Sequence, residues 1–166
     1  MNLLKSLCFF AGILVLSRLI PHPPNFTPLI AGVVFLPFLL NDKRVVVGLP
    51  LSVLFISDVI IGFHGTMLWT YAAFTLIGLV VYRFSKFNIS NLLALAVSSP
   101  TIFYVITNFG VWINSSIYLK NISGLMECYY LAIPFYSNSL VSTVLFVLLF
   151  YTTRVVVLKV QRSIST

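Results

Sequence analysis

Apolar runs separated by short polar or proline-rich breaks recur along the whole chain. Residues 3 to 20 make about 18 mostly apolar positions, roughly 27 Å as a helix, close to the hydrocarbon thickness of a bilayer. Pro21 stops that helix. His22-Pro23-Pro24-Asn25-Phe26-Thr27-Pro28 follows as an extended, semi-rigid loop, because closely spaced prolines remove amide donors and fix φ. Such a loop, with its unpaired carbonyls, is excluded from lipid at depth.

Residues 29 to 40 form a shorter run, about 18 Å as a helix, interrupted by Pro37. It reads as a short, kinked crossing or a re-entrant segment. Asn41-Asp42-Lys43-Arg44 returns the chain to water, residues 45 to 62 give a third span, and 67 to 82 a fourth, closed by Arg83-Phe84-Ser85-Lys86. A fifth runs from about 92 to 113, with Pro100 available for a kink. Residues 124 to 158 are too long for one crossing, about 52 Å as a helix. Pro134 and Ser137-Asn138-Ser139 divide them, which predicts a short interfacial segment over 124 to 136 and a last span from about 139 to 158.

Composition agrees with this pattern. A chain 60 % hydrophobic and 8 % charged, with mean hydropathy +1.07, cannot cover a water-soluble globule with polar side chains. The expected fold is all-α, an integral membrane bundle of about six transmembrane helices, with residues 1–166 as a single polytopic membrane domain. The first segment has the shape of a signal peptide but lacks a small-x-small cleavage site before Arg18 and Pro21, and is read as an uncleaved helix. The net charge of +7 does not point to nucleic acid, since the Lys and Arg residues are scattered between apolar runs and build no basic face. Cys8 and Cys128 have neither CxxC spacing nor a disulfide framework.

With six crossings and the amino terminus inside, Lys5, Lys43, Arg44, Arg83, Lys86, Arg154, Lys159 and Arg162 fall on the cytoplasmic side, leaving Arg18 and Lys120 outside. The expected localisation is a bacterial inner membrane, with multiple passes and both termini cytoplasmic.

This topology gathers the unusual polar groups in the outer half. Asp58 is the sharpest, because a carboxylate inside an apolar span needs a partner or a task. A structural ion pair with Arg18 is one reading and a pocket wall is another, and the two are compatible. His22 and His64 lie in outer loops; with Asp58 and Glu127 they lack HExxH, an i, i+4 His pair or a Cys partner, so no metal is expected. On the fifth helix Thr101, Tyr104, Asn108 and Trp112 share one face at spacings of three and four. That stripe serves either interhelical hydrogen bonds or a ligand wall, with Asn108 as a directional group and Trp112 as a stacking surface. Glu127, beside Tyr129 and Tyr130, fits a wet interfacial position.

RLIPHPPNFTPL (18 to 29), SDVIIGFH (57 to 64), TNFGVW (107 to 112) and GLMECYYLAIPF (124 to 135) resemble an uncharacterised family of small bacterial membrane proteins, over nearly the whole chain. More remotely, the layout is similar to the S components of energy-coupling-factor transporters. That likeness implies capture of a vitamin or similar micronutrient on the outer side, closure by the connection between the first two helices, a transmembrane coupling subunit and cytoplasmic ATPases. Two departures stand out. Ala11 is followed four residues later by Val15 rather than by a second small contact residue, and Met1-Asn2-Leu3 lacks the early histidine of metal-type relatives.

The expected function is therefore small-molecule binding and uptake through an outward-facing pocket. His22, Asn25 and Thr27 would form a lid, Asp58 and His64 would fix polar groups of the ligand, and Asn108 and Trp112 would line the opposite wall. Partners would be the lipid bilayer, the ligand and a coupling module, without nucleic acid or cofactor. A non-catalytic structural or assembly subunit of a membrane complex is the alternative. A membrane-embedded enzyme using Asp58, His64 or Glu127 as acid and base is a weaker third reading, since no catalytic motif supports it.

Overall fold

The computed structural model describes residues 3–164, the side chains of residues 3, 4, 162 and 164 excepted. The readings placed on Met1-Asn2-Leu3 and on the Arg162 side chain lie outside what is described. The described residues contain seven α-helices and no strand: α1 (Leu3–Leu19), α2 (Leu29–Phe35), α3 (Lys43–Ile61), α4 (Met67–Phe84), α5 (Ile89–Asn114), α6 (Ile122–Leu131) and α7 (Ile133–Ile164). A 3-10 turn, Leu36–Phe38, extends α2 and places Pro37 where its missing amide is tolerated.

Side chains start the later helices. Asp42 caps α3 by accepting from the Arg44 amide at 2.7 Å, Asn88 caps α5 through Asn91, and Asn121 caps α6 through Gly124. At the far end of α3, Gly62 takes φ 109° while its amide closes on the Asp58 carbonyl, a backbone state that a residue with a Cβ resists.

Helices α3, α4, α5 and most of α7 are long and apolar enough to cross a membrane. Their outward positions are apolar too: Phe55, Ile56, Val59 and Ile60 on α3 and Leu145 and Leu149 on α7 are all exposed. Helices that are hydrophobic all round require hydrocarbon or protein around them.

α1 packs on α3, α3 on α4, α4 on α5, and α5 on α7. Phe10 meets Phe150 edge-on at 5.9 Å, bringing α1 back to α7, so five helices surround α2. Every residue of α2 is buried. The short second run thus faces protein, and at about 16 Å including the 3-10 turn it needs no match to a bilayer's thickness. Beyond it, Phe38 stacks edge-on with Phe87, which meets Tyr151.

The last part of the chain differs from expectation. The break falls at Ala132, and Ser137-Asn138-Ser139 lies inside a continuous α7 rather than dividing two segments. Pro134 occupies the second position of α7, where no amide donor is needed, so it starts a helix instead of ending one. The Ser137 hydroxyl donates to the Ile133 carbonyl at 3.1 Å, an intrahelical bond that lets a polar residue sit in a helix.

Candidate functional site

The C-terminal ends of α1 and α3 and the N-terminal ends of α2, α4 and α7 meet at one end of the bundle. The proline-rich loop 20–28 lies over them. Asn25 takes φ 61°, a left-handed state that asparagine tolerates better than most residues, which turns the loop back over α2. Two contacts tie it down: the Asn138 side-chain amide donates to the Pro24 carbonyl at 3.0 Å, and Phe26 meets Phe146 edge-on at 6.4 Å.

Beneath the loop is a cavity of about 270 Å³. That is near the lower limit of ordinary ligand pockets, roughly 300 Å³, and suits a single-ring molecule rather than a dinucleotide. His22, Asn25 and Thr27 form its loop side, Arg18 comes from the last turn of α1, Thr70 and Ser139 add hydroxyls from α4 and α7, and Leu29, Ile30, Leu54, Ile61, Phe74 and Phe103 supply apolar wall. Phe74 and Phe103 meet edge-on at 5.6 Å. His22 Nδ1 lies 2.8 Å from the Pro23 carbonyl. A carbonyl only accepts, so Nδ1 carries the hydrogen and Nε2 of the neutral ring is left as an acceptor.

Arg18 anchors the inner wall. One terminal nitrogen, Nη1, donates to the Leu54 carbonyl at 3.2 Å and to the Ser57 hydroxyl. The other, Nη2, lies 2.8 Å from Asp58 Oδ1. Asp58 is 1 % exposed, and its second oxygen accepts from the Tyr71 hydroxyl at 3.0 Å. Oδ1 makes a close Coulombic contact but lacks an aligned hydrogen bond among the described residues, so the pair leaves that oxygen incompletely satisfied. Leu54, Asp58 and Ile61 recur at helical spacing on α3; Leu54 and Ile61 reach the cavity directly, while Asp58 acts on it through Arg18.

Of the residues expected to bind ligand, His22, Asn25 and Thr27 line the cavity and Asp58 stands one layer behind it, whereas His64, Asn108 and Trp112 are elsewhere. His64 is exposed and its Nδ1 lies 2.9 Å from the Thr66 hydroxyl, within its own turn. Asn108 donates to the Tyr104 carbonyl at 2.8 Å, and Trp112 donates to the Leu119 carbonyl at 2.9 Å.

The α5 stripe belongs to interhelical packing. Tyr104 donates to the Tyr129 carbonyl at 2.6 Å, and Thr101 and Tyr136 share a hydrogen bond at 3.0 Å. One residue along the helix is a rotation of about 100°, so Phe103 reaches the cavity while Tyr104 faces α6. Cys128, on α6, donates to the Asn108 carbonyl at 3.5 Å. Burial pushes its thiol above the ordinary value of 9.0, against the opposing pull of Tyr118 and Lys120.

Thr70, Phe74, Phe103 and Ser139, together with the aliphatic Leu29, Ile30, Leu54 and Ile61, are the lining residues that sequence reasoning missed. Thr70 and Phe74 are four apart on α4, a weak signal, and Ser139 lay within a stretch read as a break. Among the described residues no three His, Cys, Asp or Glu side chains gather in a way that would hold a metal ion.

The described basic residues also divide by end. Lys43, Arg44, Arg83 and Lys86 flank the helix termini opposite the cavity, with Lys5, Arg154 and Lys159 toward the same end of α1 and α7; Arg18 and Lys120 are at the cavity end.

A family model described as a family of unknown function (DUF6580) matches residues 2–164, and the chain belongs to that family. No curated protein and no solved structure matches the chain.

Proposed function

We propose that this protein captures a small molecule in the cavity beneath the proline-rich loop and serves as the binding subunit of a membrane uptake system. The observation that carries this reading is the cavity itself. Four polar residues of one short stretch, Arg18, His22, Asn25 and Thr27, converge on a half-open concavity walled mainly by aromatic and aliphatic side chains. A few directed polar groups in an apolar concavity are the common form of a small-molecule site.

In this reading α1, α2, α3, α4, α5 and α7 make six passes of one polytopic unit, α6 rests at the interface, and the basic end faces the cytoplasm by the positive-inside rule. The cavity then opens outward and both termini lie inside, an arrangement like that of S components of energy-coupling-factor transporters. Loop 20–28 is the lid, tied by Asn138 and Phe26. Passage of the ligand calls for a coupling subunit and ATPases.

Native mass spectrometry of the protein, gently extracted from its host membrane, tests this. A retained small molecule, lost or weakened in Asn25→Ala/Thr27→Val, supports capture; a co-purifying ATPase supports uptake. A ligand-free chain held only by non-ATPase membrane partners would replace this reading with that of a structural or assembly subunit.

A further inference from the structure

The lining carries one full charge, Arg18, and that charge is met at 2.8 Å by Asp58 directly behind it. From the cavity, the pair is close to neutral. An anionic ligand attracted by Arg18 would meet the Asp58 charge a few ångströms deeper, and a cationic one would meet Arg18 first. Either would also lose water against Leu29, Ile30, Phe74 and Phe103, a penalty that neither side of a compensated pair offsets.

Hydrogen bonding remains on offer. Nη1 of Arg18 is taken by Leu54 and Ser57, but Nε has no acceptor among the described residues, although the side chain lines the cavity. Thr27 and Ser139 add hydroxyls that have no hydrogen-bond partner among the described residues, and each can donate or accept.

We infer that the cavity selects an uncharged, single-ring ligand bearing a hydrogen-bond acceptor, and that Asp58 sets this selectivity by cancelling the charge of Arg18. The inference rests on the cavity being a ligand site. Arg18 meets the ligand; Asp58 acts through Arg18 and is a positioning residue.

Three near-isosteric planar probes separate charge from shape: benzamide, benzoate and benzamidinium, titrated into the full-length protein in detergent and followed by calorimetry and thermal shift. Wild type should bind benzamide at least tenfold more tightly than either ion. Asp58→Asn exposes the Arg18 charge, so the benzoate-to-benzamide affinity ratio should rise at least tenfold and benzoate should raise the thermal midpoint of the variant. If that variant does not survive purification, Arg18→Gln/Asp58→Asn restores a neutral wall and should keep the preference for benzamide.

Wild-type preference for either ion, or an unchanged ratio in Asp58→Asn, overturns the inference. Should wild type bind none of the probes, the molecule retained in native mass spectrometry decides. An uncharged ring supports the charge rule, and a charged molecule overturns it while leaving the cavity a ligand site. With no retained molecule either, the ligand-site reading itself fails.

Discussion

Arg18 Nη2 and Asp58 Oδ1 stand 2.8 Å apart, joining the last turn of α1 to the last turn of α3 at the inner wall of the cavity. Because Asp58 is 1 % exposed, the energetics of this pair are those of desolvated charge. Removing one partner strands the other, at a cost of about 3–5 kcal/mol, whereas replacing both by apolar residues of similar volume is often close to neutral. Arg18→Met is therefore expected to destabilise the protein far more than Arg18→Met/Asp58→Leu. Denaturation of the purified variants in detergent checks this; equal losses would show that the pair acts through packing alone.

Among the described residues, the Tyr71 hydroxyl supplies the one aligned side-chain hydrogen bond to Asp58. Tyr71→Phe removes it while keeping the ring, leaving Oδ2 without its donor. Hydrogen bonds to charged groups contribute about 1.5–3 kcal/mol, so a loss in that range is expected from the same denaturation measurement, with membrane insertion unchanged.

Asn138 holds the lid at Pro24. Asn138→Ala should cost about 1 kcal/mol of local stability and raise proteolytic nicking within residues 21 to 28, without shifting global unfolding by a comparable amount. Limited proteolysis followed by mass mapping reads the effect, and unchanged nicking would show that Phe26 alone secures the loop.

Trp69 of α4 lies directly over Gly110 of α5. A Cβ built at Gly110 would stand 2.1 Å from Trp69 Cγ, so Gly110→Ala must displace the indole. Overpacking of this kind costs roughly 1–3 kcal/mol. Gly12→Ala, where a Cβ meets nothing within 4 Å, is the matched control and should be neutral to stabilising, by up to about 1 kcal/mol. Thermal midpoints of the two variants measured side by side make the comparison.

Cys128 is buried and burial raises its thiol, whereas Cys8 is exposed on α1. In folded protein at pH 8, a maleimide reagent should label Cys128 slowly, and unfolding should bring it up to the rate of a free thiol. The linkage has a definite sign. The folded state holds the thiol proton more tightly, so this contribution to stability is full below the ordinary value of 9.0 and is lost as pH rises past it toward the folded value. Cys128→Ala should show less alkaline destabilisation just above pH 9.

Local chemistry made the helices legible. Apolar runs and the prolines and polar clusters that interrupt them set element positions to within a few residues for α1 through α5. The exception was the start of α7. Pro134 and three polar residues read as a break, yet a proline at a helix's second position and hydroxyls that bond back one turn are compatible with helix, and only the register of the turn at Ala132 distinguishes the two.

The site was legible only in part, for a geometric reason. His22, Asn25 and Thr27 are close in sequence and share one loop, so the chain itself brings them together. Which face of α5 looks inward is decided by packing: a rotation of about 100° per residue puts Phe103 on the cavity and turns Tyr104, Asn108 and Trp112 toward α6 and the loop before it. Sequence by itself determined the helical, apolar character of the chain and the oddity of a carboxylate in an apolar span. Only the tertiary structure put α2 wholly inside a ring of five helices, set Arg18 between Asp58 and the cavity, and brought Thr70, Phe74 and Ser139 to the same wall. Those outcomes depend on which helices pack together and at what rotation, and these depend on contacts between distant residues that no local pattern contains.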